Sequence, residues 1–363
     1  MTPARPLPTT IDGLDSSWLT AAMRRSGRLA STESVTLVKV ESMTAGTAFS
    51  TMMYRLILDG PAGLPRTAIL KLPIDAPVRA LLDGIGAYRR ELSFYQELAP
   101  ALPVRVAEPY IAEMSSETTD FVLLLEDLTD LQPGDQLGGL TIAQAESAVD
   151  YLAAFHGWGW ENPRLPEFAD RFPPLDGPVG SSVQQQFGQV FKATWPGASK
   201  YISGDALKVG DALPDLVPFF IAELASPRTI AHGELRAENL FLSPDGGIVM
   251  VDFQTVGQEA GVVDLAYLIS QSVPTDVRQG HDEALIRRYH QGLLSAGVDD
   301  YSFDLAWRQY RLAVAFNLIL PGIAFMTFDS SDDRGQRLLI EMLQRASAAI
   351  NELDCCALIP DLA

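Results

Sequence analysis

The stretches "HGELRAENLF" (232–241) and "SPDGGIVMVDFQ" (243–254) concentrate charged and oxygen-bearing side chains at short spacing. Glu234, Arg236, Asn239 and Asp252 are the ones that could do chemistry. An amide oxygen at Asn239 and a carboxylate at Asp252 are hard donors of the kind Mg2+ takes, and that ion needs only one or two from protein when phosphates supply others. Glu234, five residues before Asn239, could orient an incoming hydroxyl and accept its proton. Arg236 could neutralise charge on a transferring phosphoryl group. Plainer uses stand beside these: Asp and Asn also favour turns and caps, and His232 is expected only to hydrogen-bond the loop backbone.

A hairpin must position the pair. "NLFLSPDGGIVMVDF" (239–253) has two β-prone runs around Asp245-Gly246, a favoured two-residue turn. With those residues at the turn centre, Ser243 opposes Ile248 and Asn239 opposes Asp252, side by side on one face. A longer loop would shift the register and still bring the two ends together.

The rest of the chain supplies the frame. A helix is expected at 15–27, and three β-rich runs at 34–43, 49–58 and 66–74. A helix follows at 76–100, with Leu81, Leu82, Tyr88, Leu92, Tyr95 and Leu98 at helical spacing, then strands at 105–114 and 120–128. After "TDLQPGDQLGG" (129–139) the pattern turns helical, beginning at 141–160, with the hairpin at 240–252 as the exception. The expected division is a small sheet lobe at 1–128 and a larger helical lobe at 129–363, with a hinge near 124–131. The most apolar run, "LAVAFNLILPGIAFMTF" (312–328), is 17 residues long and interrupted by Asn317, Pro321 and Gly322, so it reads as a buried, proline-kinked helix rather than a bilayer span.

With 27 basic against 46 acidic residues, the net charge of −19 argues against nucleic acid or an anionic membrane as partner. It is compatible with a cationic small substrate. The only cysteines, Cys355 and Cys356, are adjacent, which offers no disulfide framework. "MTPARPLPTT" lacks the apolar core of a signal peptide, and a cytoplasmic location is expected. No G-x-S-x-G, H-E-x-x-H or strand-linked G-x-G-x-x-G is present.

His232-Gly233-Glu234, Asn239 and Asp252-Phe253-Gln254 together resemble the motifs of the aminoglycoside phosphotransferase and choline-kinase-like superfamily, small-molecule relatives of protein kinases. "YRRELSFYQEL" (88–98) points to its ecdysteroid-kinase-like branch. The resemblance implies an α+β, bilobal, protein-kinase-like fold. It implies Lys71 of "AILKLP" as the contact to the nucleotide phosphates, with Glu91 as its ion-pair partner. "LLLEDL" (123–128), with Glu126 and Leu128, resembles the hinge that meets the nucleotide base through backbone hydrogen bonds. The loop "TAGTAF" (44–49), with Gly46 and Thr47, takes the place of a glycine-rich phosphate loop. Asp264 of "GVVDLAYLI" (261–269) takes a loop-bracing role. The implied activity is transfer from ATP or GTP, with Mg2+, to a hydroxyl of a small acceptor such as an amino alcohol or aminosugar. The acidic run "FDSSDD" (328–333) could meet an amino-substituted acceptor. Glu234 stands where that superfamily carries aspartate. The alternative expectation is therefore a nucleotide- or ligand-binding protein with impaired transfer.

Overall fold

α1 (Ser16–Arg25) begins where the Trp18 amide donates to the Asp15 carboxylate at 2.6 Å, a cap worth about 1 kcal/mol. In this computed structural model, which describes residues 6–43, 51–74, 78–327, 332–360 and 362, with the side chains of Val78 and Thr327 excepted, the chain forms two compact units. The first comprises Met1–Ala101, Val106–Asp130 and Val251–Gln254; the second comprises Leu102–Arg105, Leu131–Met250 and Thr255–Ala363.

The first unit is built on a five-stranded antiparallel sheet of β1 (Thr36–Ser42), β2 (Thr51–Asp59), β3 (Thr67–Pro73), β4 (Pro109–Met114) and β5 (Phe121–Glu126). The strand order is β1-β2-β3-β5-β4. Leu56, Leu58, Ala68, Leu70, Leu72, Val122 and Leu124 pack with Trp18, Leu19, Ala22 and Met23 of α1. That core uses alternate strand positions, so the residues between them address the other face of the sheet. The helix expected over 76–100 is broken. α2 (Val78–Gly84) ends on a glycine, Gly86 immediately precedes α3 (Ala87–Ser93), and a five-residue π turn, Phe94–Leu98, ends the run. Two glycines only two positions apart undo a helix that apolar spacing alone would continue.

The second unit is mainly helical. It contains α4 (Ile142–Gly159), α5 (Pro178–Ala198), α6 (Asp205–Leu224), α7 (Val262–Ser272), α8 (Thr275–Arg278), α9 (Asp282–Ser295), α10 (Phe303–Phe316), α11 (Ile319–Ala324) and α12 (Asp333–Glu352). Thr141 and Gln144 form a capping box that starts α4. The hairpin is not the sole strand structure here, contrary to expectation. β6 (Gln132–Pro133), β8 (Leu240–Leu242) and β9 (Ile248–Met250) make a three-stranded sheet, and β7 (Thr229–Ala231) pairs with β10 (Gly257–Glu259). Strands of two or three residues are too short for alternation to announce them.

The apolar run at 312–328 is divided as well. α10 ends at Phe316 and α11 starts at Ile319, so Pro321 falls in a first turn, where its missing N–H costs nothing. Buried Asn317 bridges the break: its Nδ2 donates to Val263 O at 2.9 Å and its carbonyl accepts from Gln271 Nε2 at 2.9 Å. Among the described residues no helix is long and apolar enough to cross a membrane. Residues 328–331 of the acidic run lie outside the described residues.

Candidate active site

In the first unit, Leu70 and Leu72 belong to the core against α1, so alternation sends Lys71 to the opposite face of β3. There it is 5% exposed, with Nζ 2.5 Å from Glu91 Oε1 on α3 and 2.9 Å from Asp252 Oδ1. Burial alone would favour the neutral amine, but the charges of Asp252 and Glu91 outweigh it and hold the Lys71 pKa above its usual value. Burial pulls the Glu91 carboxyl upward while Lys71 pulls it back. One ammonium thus faces two carboxylates, and the excess negative charge sits on Asp252. The Asp252 side chain is 36% exposed, against 6% for Lys71 and 0% for Glu91. A wet carboxylate beside a neutralised buried pair suits a hard cation.

Asp252 has φ +69, a left-handed conformation costing a non-glycine residue about 1–2 kcal/mol. Its neighbours hold it there. Fully buried Phe253 stacks on Phe94, with centroids 3.5 Å apart and planes at 11°, and meets Tyr95 edge-on. Gln254 Nε2 donates to Glu91 Oε2 at 3.4 Å. Phe94 and Tyr95 lie in the π turn after α3, a distortion frequent at functional sites. Glu126 ends β5, with its amide donating to Glu108 O at 2.8 Å, and Leu128 is buried just beyond. Gly46 and Thr47 lie outside the described residues.

In the second unit, the loop 232–239 joins β7 to β8. Asp264, in the first turn of α7, braces it: Oδ2 accepts from the His232 amide at 2.6 Å and Oδ1 from the Gly233 amide at 2.8 Å. Asp264 Oδ2 also lies 3.1 Å from His156 Nε2. A carboxylate can only accept, so Nε2 carries the proton and His156 Nδ1 receives the Tyr289 hydroxyl at 2.9 Å. Burial would raise the Asp264 pKa, but the hydrogen bonds it accepts from His156 and from the His232 amide hold it below the usual value. Gly233 adopts φ +84, and a Cβ there would stand 2.6 Å from Thr255 O, so the turn requires glycine.

The loop's backbone is pinned around Glu234. The Glu234 amide donates to His232 Nδ1 at 3.4 Å, and the Glu234 carbonyl accepts from Asn239 Nδ2 at 2.9 Å. His232, fully buried, thus serves the loop backbone. With its nitrogen committed, the Asn239 amide presents its oxygen, the atom a hard cation needs. Arg236 Nη1 pairs with Glu238 Oε2 at 3.1 Å, and Arg334 at the start of α12 pairs with Glu238 Oε1 at 3.2 Å.

The hairpin register is one residue away from expectation. Leu240 pairs with Met250 and Leu242 with Ile248, and the Ser243 amide donates to Gly247 O at 2.9 Å. The loop is therefore three residues, 244–246, with Gly246 in the left-handed position, the usual three-residue hairpin solution. The direct opposition of Asn239 and Asp252 is lost. A Pro-Asp-Gly-Gly run serves two-residue and three-residue turns alike, so its composition does not choose between them.

Sequence reasoning missed His156, Gln136 and Ser272 as loop supports. His156 falls on the buried face of α4, a signal of burial but not of partner. Nothing local marks Gln136, whose Oε1 accepts from the Ala237 amide at 2.8 Å.

Comparison with known proteins gives a family and a fold for this chain. The model of the ecdysteroid kinase-like family matches residues 45–297, more than half of the chain. No curated protein sequence matches it. Among solved structures, a candidate aminoglycoside phosphotransferase from Ralstonia eutropha JMP134 is similar at 15% identity and a TM-score of 0.55, covering 94% of this chain and 98% of its own. The aminoglycoside phosphotransferase APH(2″)-IIIa, solved with GDP and kanamycin, is similar at 12% identity and a TM-score of 0.54, over 92% of this chain and 98% of its own. Plasmodium vivax ethanolamine kinase gives 12% identity and a TM-score of 0.51, over 95% and 91%. At these identities the likeness is one of fold.

Proposed function

The chain belongs to the ecdysteroid kinase-like family, and from that premise we propose that it transfers the γ-phosphoryl group of ATP or GTP to a hydroxyl of a small molecule, with Mg2+. The observation that carries this reading is Lys71, buried and charged between Glu91 and a solvent-reaching Asp252. Burying an ammonium and the Glu91 carboxylate costs several kcal/mol per ion before their attraction repays it. A purely structural site gains little from so costly a group, whereas a phosphate-binding site needs the cation.

In this reading Lys71 holds the nucleotide phosphates and Glu91 orients Lys71. Asp252 and Asn239 are each oxygen donors for Mg2+, and Glu126 and Leu128 meet the base through their backbone. A bound divalent cation supplies charge neutralisation at the phosphate oxygens. Glu234 accepts the proton of the acceptor hydroxyl, and Arg236 balances charge at the transferring group. The Glu234 backbone is held on both sides by His232 and Asn239. What distinguishes it from aspartate is therefore reach, one carbon–carbon bond of about 1.5 Å. Relatives of similar fold are named for aminoglycoside and ethanolamine acceptors, and an amino-substituted alcohol suits a chain of net charge −19.

The test is ³¹P NMR of the protein with ATP, Mg2+ and pooled alcohols and aminosugars, beside Asp252→Ala and Glu234→Asp. A new phosphate-ester resonance that disappears in Asp252→Ala supports the proposal. With the backbone fixed, shortening the side chain withdraws the carboxylate, so Glu234→Asp is expected to lower kcat roughly 10- to 100-fold, the scale of a misplacement near 1 Å. A resonance from Glu234→Asp alone would instead make the native glutamate a silencer and favour the binding-protein alternative.

A further inference from the structure

We infer that the segment 132–137, clasped by the buried Arg345 of α12, is the device that positions the catalytic loop, with Gln136 as its point of contact; this rests on the loop 232–239 being catalytic, as proposed above. The segment runs along the loop's exit. Gln132 and Pro133 pair with Leu242 and Phe241 of β8, and the Gly134 amide donates to Leu240 O at 2.8 Å. The fully buried Gln136 side chain then reaches the loop itself. Its Oε1 accepts from the Ala237 amide at 2.8 Å and from the Ser272 hydroxyl at 2.9 Å, and its Nε2 donates to Gln271 O at 2.8 Å. Ser272 Oγ accepts the same Ala237 amide at 3.0 Å. Gly134 lies so close to Ala237 that any Cβ there would collide with the Ala237 carbonyl. The Ala237 amide is thus held by Gln136 and Ser272, its carbonyl accepts from the Leu240 amide, and Gly134 packs closely against it. Ala237 stands three residues after Glu234 and two before Asn239, so its position sets theirs.

Arg345 holds the segment in turn. It is 3% exposed; Nη1 donates to Gln136 O at 2.8 Å and to Gln271 O at 3.3 Å, Nη2 donates to Leu137 O at 2.8 Å, and Nε meets Glu341 at 2.9 Å. A buried guanidinium is tolerated only when its donors are satisfied in good geometry. Here three of those bonds go to carbonyls of the segment and of the end of α7. The charge therefore ties 136–137 to the helix whose Asp264 and Ser272 also grip the loop. Gln136 and Arg345 act through Ala237 and are positioning residues.

The experiment compares wild type with Gln136→Ala and Arg345→Lys, by hydrogen–deuterium exchange over residues 230–242 and by steady-state kinetics with Asp252→Ala as the inactive control. The expected result for Gln136→Ala is exchange at 236–239 faster by about tenfold or more, with kcat down roughly 10- to 100-fold and the nucleotide KM within about twofold of wild type. A merely structural role would lower the melting temperature and leave kcat per folded molecule unchanged. Folded Gln136→Ala with wild-type exchange at 236–239, or with faster exchange and an unaltered kcat, overturns the inference. If Gln136→Ala does not fold, Arg345→Lys, which keeps the charge but cannot span three carbonyls, is read by the same criteria. Absence of transfer by the wild type would count against the proposed function, and exchange alone would then support or overturn the positioning role.

Discussion

At the scale of single residues, the charge arithmetic around Lys71 makes a sharp prediction. Lys71→Met removes the ammonium and leaves Glu91 buried without its partner, which should cost about 3–5 kcal/mol of unfolding free energy at pH 7. The lone Glu91 then holds its proton more tightly folded than unfolded, so the deficit in urea titrations should narrow as pH falls from 7 towards 5. A deficit that is flat over that range would mean the pair is not a coupled buried ion pair. Asp264 behaves in the opposite sense. Its folded pKa is depressed, so its contribution is complete above its unfolded value of about 3.9 and is lost as pH falls through the folded value. Asp264→Asn should cost about 2–4 kcal/mol at neutral pH, since an amide cannot accept from all of His232, Gly233 and His156. It should also flatten the stability profile below about pH 4. An unchanged acid limb would show that Asp264 does not titrate with unfolding.

Individual elements are shaped by their ends more than by their middles. β3 places Lys71 by alternation alone, and α3 carries Glu91 after the preceding helix has stopped at the two glycines. The π turn after α3 supplies Phe94 and Tyr95 to receive Phe253. Phe253→Ala should therefore destabilise by about 3–5 kcal/mol and release Asp252 from its left-handed conformation. Calorimetry would show the loss, and nucleotide titration should weaken with it. A fully stable variant with weakened binding would put the role of Phe253 in the site rather than in the core. The loop after β7 is as demanding. Gly233→Ala meets both a positive φ and a backbone carbonyl at 2.6 Å. It should cost more than the ~1–2 kcal/mol of the left-handed penalty alone, a figure that urea unfolding checks directly.

For the molecule as a whole, the net charge of −19 works against a polyanionic nucleotide unless cations accompany it. Thermal shift with ATP should thus be small without Mg2+ and clear with it, because stabilisation follows the ratio of free ligand to Kd. Asp252→Ala should erase the Mg2+ increment and keep any Mg2+-independent part. An equal shift with and without Mg2+ in the wild type would remove Asp252 and Asn239 as metal donors. The two units also divide the chemistry. Lys71, Glu91 and Asp252 belong to the first, and Glu234, Arg236 and Asn239 to the second, although Asp252 lies only 13 positions beyond Asn239 in the chain.

The order of elements in the first unit was legible without coordinates. Strand alternation, helical spacing and turn composition are short-range properties that a few neighbouring residues settle. The α+β character followed from them, and so did the placing of Lys71 on a strand and Glu91 on a helix. Tertiary structure decided the rest. It chose the three-residue turn over the two-residue one, put Asp252 in a left-handed conformation, and broke two apolar runs where a glycine pair and a bridging Asn317 allowed it. It also brought Gln136 to Ala237 and His156 to Asp264 across separations of 101 and 108 residues. A buried polar group must find a partner, but its own sequence neighbourhood does not say which. The partner is whichever group the packed helices carry to it, and that depends on the whole chain.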